Sequence, residues 1–108
     1  MDKYEALKNR LIKFNEDRDW DQFHSPENLA KSIAIEAGEL LECFQWDDNY
    51  NLEDVEDEMA DVFAYLINLS DKLGVDLFEI TDKKIDKNEK KYPVDKAKGK
   101  SDKYDKLW

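Results

Sequence analysis

Four stretches of this 108-residue sequence place apolar side chains three or four positions apart, and this period predicts amphipathic α-helices. The four predicted helices cover residues 3–17, 26–46, 52–73 and 77–92. Only three Gly and two Pro interrupt the chain, which favours long helices over many short strands. We therefore predict an all-α fold in which these helices form a four-helix bundle.

Residues suited to helix ends lie where the apolar period starts and stops. The predicted N-caps are Asp2, Ser25, Asn51 and Asp76. Gly74 is placed to end the third helix, because glycine adopts the left-handed conformation without steric cost. Pro93 ends the fourth helix, since proline has no backbone N–H to continue it. The agreement between period and caps strengthens the helical prediction.

The end of the sequence differs in charge from the rest. Residues 94–108 hold five lysines and three acids, a net charge of +2, whereas residues 1–93 hold 24 acids and 12 bases. We predict one all-α domain over residues 1–93 and a polar, basic, irregular tail over residues 94–108. Three side chains in this tail, Tyr104, Leu107 and Trp108, are able to anchor it.

Acidic residues dominate the middle of the chain, within an overall net charge of −10. Residues 32–71 contain twelve acids and no Lys or Arg. Such a surface repels nucleic acid and attracts divalent cations, so we predict no nucleic-acid partner. No apolar run approaches the ~18 residues of a membrane span, and we predict no membrane partner. The single cysteine, Cys43, cannot form a disulfide within the chain, and we predict a cytoplasmic location.

Two pairs of acids, each three residues apart, lie at the edges of the apolar stripes of two helices. They are Glu36 with Glu39 and Glu58 with Asp61. Glu36 falls inside the stripe of the second helix, where an unpaired carboxylate costs several kcal/mol. If the two helices pack antiparallel, the pairs face each other, and the all-oxygen set favours Mg²⁺, or Mn²⁺, over Zn²⁺. Spacing alone leaves a solvated acidic face as the alternative.

Both acid pairs resemble the sequence motifs of a known family. The segments EAGE at residues 36–39 and EMAD at residues 58–61 are similar to the paired ExxE and ExxD motifs of MazG-like all-α nucleotide pyrophosphohydrolases. The resemblance is strongest to the dCTP pyrophosphatase branch. Further segments that resemble this branch in the same order are RDW at 18–20, QFH at 22–24, FQW at 44–46 and YP at 92–93.

This resemblance implies that the chain hydrolyses a nucleoside triphosphate to the monophosphate and pyrophosphate, and that it forms a homodimer or homotetramer. The implied Mg²⁺ ligands, which are also the catalytic residues, are Glu36, Glu39, Glu58 and Asp61. The residues implied to line the base and sugar pocket are Trp20, His24 and Trp46, and Tyr65 is implied to lie beside the substrate. Lys84 and Asn88, which are i and i+4 on one helix face, are implied to contact the phosphates.

The aromatic and basic residues of this set also allow simpler interpretations. Without the resemblance, the aromatic side chains are core or interface residues, and Lys84 is a surface charge. The chain also departs from the animal dCTP-selective members, which carry a histidine where this sequence has Leu11 and a longer turn after Trp46. Alternative functions are therefore hydrolysis of another nucleotide, such as dUTP or phosphoribosyl-ATP, or a non-catalytic helical module that senses metal or nucleotide.

Overall fold

The computed structural model describes residues 2–46 and 48–108, and across these ranges it contains helices and no β-strand. The α-helices are α1 (Lys3–Asp17), α2 (Pro26–Glu42), α3 (Leu52–Leu73), α4 (Leu77–Lys91) and α5 (Val94–Ala97). Short 3₁₀ helices lie at Asp21–Phe23 and Tyr104–Lys106. The all-α prediction is confirmed. Within the described ranges, every helix is too short or too polar to cross a lipid bilayer.

Side-chain caps fix the starts of the four long helices. Each cap accepts a hydrogen bond from the backbone N–H three residues later, at 2.8 to 3.1 Å. The four caps are the predicted residues Asp2, Ser25, Asn51 and Asp76. Gly74 follows α3 with φ of 68°, a left-handed conformation that side chains with a Cβ adopt only with strain. Local sequence signals therefore set these boundaries.

The chain divides into two compact units, and the first comprises residues 2–75. In this unit α1 and α2 both pack against α3. The buried apolar side chains are Leu29 of α2 and Val55 and Ile67 of α3. This core fixes the facing sides of α2 and α3, which carry the predicted metal ligands.

The second unit comprises residues 76–108. The prediction that residues 94–108 are irregular is wrong in part, because this segment contains α5 and a 3₁₀ turn. Aromatic contacts explain this local order. The ring of Tyr104 meets that of Tyr92 edge to face at 6.2 Å, and the ammonium of Lys96 lies 4.2 Å from the Trp108 ring centroid. Tyr104 thus contacts a residue before the tail, whereas the contact of Trp108 lies within residues 94–108. Anchoring by Leu107 and Trp108 stays a prediction. The predicted homo-oligomer and the cytoplasmic location stay predictions.

Helix α2 ends at Glu42, so the prediction that it continues to about Trp46 is wrong by one turn. The backbone N–H groups of residues 43–45 bond to carbonyls three positions back, at 3.0 to 3.2 Å, which tightens the chain out of the α-helix. Phe44 then packs against Tyr50 with ring centroids 5.0 Å apart. This contact lies outside the helical period, which is why the periodic pattern overestimates the helix.

Candidate functional site

Helices α2 and α3 bring the four predicted carboxylates into one group, which we call the acidic cluster. Glu36, Glu58 and Asp61 can each present an oxygen so that all three atoms lie within 4.8 Å of one another. The fourth residue, Glu39, interacts electrostatically with both Glu36 and Glu58 and raises the pKa of each. The structure therefore places together the side chains that the spacing predicted to converge.

An antiparallel arrangement of α2 and α3 produces this convergence. Near the start of α3, Asp54 acts electrostatically on Cys43 at the end of α2. One to two turns further along α3, Asp61 acts on Glu36, which lies earlier in α2. The contacts thus run in opposite directions along the two helices, as in two helices joined by a short loop. Residues three apart on each helix then share the facing surface.

Burial and mutual repulsion raise the pKa values in the acidic cluster. Glu36 and Glu58 are partly buried, whereas Asp61 is exposed. Desolvation is the largest cause that raises the pKa of Glu36, to about 7, and interactions with Glu39, Asp61 and Glu58 add to it. Desolvation followed by the charge of Glu39 raises the pKa of Glu58. The cluster therefore resists full ionisation at neutral pH without a cation.

The donor set of the acidic cluster fits a hard divalent cation. The Oε2 atoms of Glu36 and Glu58 are buried and have no hydrogen-bond partner within the described residues. Among those residues, every ion pair formed by a Lys or Arg involves other carboxylates. Buried oxygen atoms without partners are costly, and Mg²⁺ or Mn²⁺ prefers such all-oxygen surroundings. Glu36, Glu58 and Asp61 could therefore hold such a cation, and the role of Glu39 as a fourth ligand stays a prediction.

A cavity of about 250 Å³, which we call the aromatic cavity, lies beside the acidic cluster. Three of the residues predicted to bind substrate line this cavity, and they are Trp20, His24 and Tyr65. Asp61 of the acidic cluster lines it as well. Because Asp61 also belongs to the acidic cluster, the two sites share a wall. A ligand in the aromatic cavity would thus lie next to the carboxylates of the acidic cluster.

Several contacts hold the segment that carries Trp20 and His24 against helices α1 and α3. The backbone N–H of Trp20 donates to the carbonyl of Asn15 at 3.0 Å, and the Trp20 ring packs edge to face on Phe14 at 5.5 Å. Lys72 of α3 forms an ion pair with Asp21, and this hydrogen bond is the largest cause that lowers the Asp21 pKa. The segment is therefore tied to both α1 and α3.

Not all predicted substrate residues meet in the aromatic cavity. Trp46 is 87% exposed beyond the end of α2 and is not part of the cavity lining. Lys84 and Asn88 lie on α4 in the second unit, one turn apart. The roles of these three residues stay predictions. Leu11, which departs from the histidine of the animal dCTP-selective members, does line the aromatic cavity.

Two polar residues in the wall of this cavity were not predicted from the sequence. Asn15 of α1 and Asn68 of α3 are both buried, and both line the aromatic cavity. One signal in the sequence is the position of Asn68 inside an apolar run, between Ile67 and Leu69. Because its partner is 53 residues away, neither spacing nor periodicity identifies the pair.

Known proteins share both the sequence and the fold of this chain. It is 34% identical to dCTP pyrophosphatase 1 of Mus musculus over 110 residues, which cover 93% of this chain and 65% of the mouse protein. Identity to dCTP pyrophosphatase 1 of Homo sapiens is also 34%, over 113 residues that cover 95% of this chain and 66% of the human protein. The chain thus spans about two thirds of the length of these curated relatives.

A crystal structure of a pyrophosphatase from Archaeoglobus fulgidus DSM 4304 has a similar fold. It superposes with a TM-score of 0.78 and 40% sequence identity, covering 86% of this chain and 94% of that chain. The model of the MazG-like family matches residues 31–107, a range that includes all four carboxylates of the acidic cluster. With these matches and a shared all-α fold, the chain belongs to the MazG-like family.

Proposed function

We propose that this chain hydrolyses a deoxynucleoside triphosphate, dCTP or a modified or non-standard dNTP, to the monophosphate and pyrophosphate. The observation that supports this most directly is the acidic cluster, with its two buried and unpartnered oxygen atoms, next to the aromatic cavity. A metal site beside a flat cavity suits a ligand with a polyanionic chain at one end and a base at the other. The similarity to two dCTP pyrophosphatases supports the same reaction.

In the proposed reaction, the oxygen of a water molecule bonds to the α-phosphorus, and the bond from that phosphorus to the bridging oxygen breaks. Pyrophosphate leaves with that oxygen, and the water proton passes to a carboxylate of the acidic cluster. Mg²⁺ held by Glu36, Glu39, Glu58 and Asp61 would neutralise the triphosphate and polarise its phosphorus.

The aromatic cavity is the proposed site for the base. Ring stacking on Trp20 or Tyr65 contributes about 1–3 kcal/mol per base and tolerates different bases. Because Asp61 joins this cavity to the acidic cluster, a base stacked here directs its phosphates toward the metal ligands. Leu11 in the cavity wall offers no hydrogen bond, so the preference for one base has to come from other residues.

Pyrophosphate release tests the proposal. All standard dNTPs and NTPs, several modified dNTPs and phosphoribosyl-ATP are incubated with the protein, with and without millimolar Mg²⁺. We expect fastest release from dCTP or a modified dNTP, and none after chelation of the metal. Faster release from dUTP or phosphoribosyl-ATP would identify the same-fold alternative. No release from any nucleotide would refute the enzyme and favour a non-catalytic module.

The ion pair between Lys72 and Asp21 is expected to assist substrate binding by holding the segment with Trp20 and His24 in place. An ion pair with one exposed partner contributes about 0.2–1 kcal/mol, so Lys72→Met should raise KM by a factor of roughly 1.4 to 5 with little change in kcat. The matched control is Lys13→Met, because Lys13 pairs with Asp17 on the exposed side of α1. An equal loss of kcat in the Lys72 variant would contradict this positioning role.

A further inference from the structure

A hydrogen-bonded pair of amides links α1 to α3 in the interior of the first unit. The side-chain N–H of Asn15 donates to the side-chain oxygen of Asn68 at 2.9 Å. Asn15 is 8% exposed and Asn68 is 9% exposed. Asparagine is rarely this buried unless its amide groups have partners, and we call these two residues the amide pair.

The amide pair forms a wall between two cavities. One is the aromatic cavity, and the other is a space of about 200 Å³ on the side of Asp21 and Lys72. Each asparagine carries an acceptor oxygen and an amide group with two N–H donors. The bond within the pair uses one donor of Asn15 and the oxygen of Asn68. The oxygen of Asn15 and the amide nitrogen of Asn68 therefore keep hydrogen-bonding capacity for a ligand.

We propose that the amide pair recognises the 4-substituent and the ring N3 of a pyrimidine base in the aromatic cavity. For cytosine, the 4-amino group donates to the oxygen of Asn15, and N3 accepts from the amide nitrogen of Asn68. If both side-chain amides rotate by 180°, the amide nitrogen of Asn68 donates to the oxygen of Asn15 and the pair stays bonded. The amide nitrogen of Asn15 can then donate to O4 of uracil, and the oxygen of Asn68 can accept from its N3–H. This inference rests on the proposed function, since it concerns the base of the proposed substrate.

The surroundings of the amide pair favour this role over a purely structural one. The same cavity offers Trp20 and Tyr65 for stacking, and Asp61 marks the side of the metal ligands. A base stacked between these groups presents its edge to a cavity wall, and the amide pair is the buried hydrogen-bonding part of that wall. Leu11 in the same lining offers no hydrogen bond, whereas the amide pair places an acceptor and a donor side by side.

The test compares dCTP with the deoxynucleoside triphosphate of 2-pyrimidinone, which lacks only the 4-amino group. Wild-type protein should prefer dCTP in kcat/KM by about tenfold, the effect of one lost hydrogen bond. In the double variant Asn15→Leu/Asn68→Leu this preference should fall to about one. Replacing both partners by apolar groups of similar shape is close to neutral for stability, so this variant should fold. Asn15→Ala, which removes both the acceptor and the N–H that donates to Asn68, is measured in parallel and should also lose the preference.

Two controls separate recognition from folding. The ratio of the two substrates is independent of the folded fraction, since both are measured on one preparation. Ser70→Ala removes another buried polar group of α3, whose hydroxyl donates to the carbonyl of Ile67 at 2.8 Å, and it should keep the tenfold preference. Equal turnover of both substrates by wild-type protein, or an unchanged preference in the Asn variants, would overturn the inference. No pyrophosphate from any triphosphate would instead refute the proposed function itself.

Discussion

Replacing Asp61 by Asn is expected to lower kcat for pyrophosphate release by at least about 100-fold, because a metal contributes several kcal/mol to stabilising the charge that develops at phosphorus. Asp61 is an exposed member of the acidic cluster and also lines the aromatic cavity. Its charge therefore faces the aromatic cavity, where it contributes little to packing. Asn keeps the size of the side chain and removes the negative charge.

The matched control for this variant is Asp57→Asn, the same substitution at an exposed position one turn earlier on α3 and outside the acidic cluster. This control should retain full activity. Both variants should show wild-type helical circular dichroism, since neither position contributes to the buried core. Glu39→Gln, on the facing helix, should lose activity as Asp61→Asn does. Wild-type turnover by the Asp61 variant would refute the assignment of the metal ligands.

Features that depend on neighbouring residues in the sequence were predictable. The caps at Ser25 and Asn51 each bond three residues ahead, so a short segment determines them. The acidic cluster follows from the same rule, because residues three apart share a helix face and α2 and α3 are consecutive. The sequence therefore predicted the facing carboxylates once two adjacent helices were assumed to pack together.

Features that depend on distant contacts were not predictable in this way. The end of α2 is set by Phe44 packing against Tyr50, and the order in residues 94–108 is set by ring and cation contacts within the second unit. The amide pair joins positions 15 and 68, and no periodic pattern relates them. In each case a polar or aromatic residue is placed by its partner and not by its local propensity.

The acidic cluster also has a consequence for stability. Four carboxylates meet between α2 and α3, and two of their oxygen atoms are buried without a hydrogen-bond partner in the described part of the chain. Without a cation, this site lowers the free energy of unfolding. A cation that binds only the folded state raises the free energy of unfolding and offsets that cost. Metal affinity and the stability of the metal-free protein are therefore linked through the same side chains.

The pH dependence of metal-free stability follows from Glu36. Its pKa is about 7 in the folded protein, against an ordinary value of 4.5. Between these values the folded chain binds more protons than the unfolded chain, so the free energy of unfolding falls as pH rises. The stabilising contribution of this proton is complete below about pH 4.5 and is lost as pH rises through 7.

Replacing Glu36 by Gln is therefore expected to stabilise the metal-free protein at pH 8. The variant removes a poorly solvated charge, and the gain should be about 1–2 kcal/mol, or roughly 5–10 °C in Tm. Thermal unfolding in chelator should show this gain at pH 8 and a smaller one at pH 5, where wild-type Glu36 is protonated. Added Mg²⁺ should stabilise wild-type protein more than the variant, because the variant has lost a ligand. Glu42→Gln, at the exposed end of α2, should show neither effect. A Tm below wild type for the Glu36 variant at pH 8 in chelator would show that its carboxylate stabilises the metal-free fold.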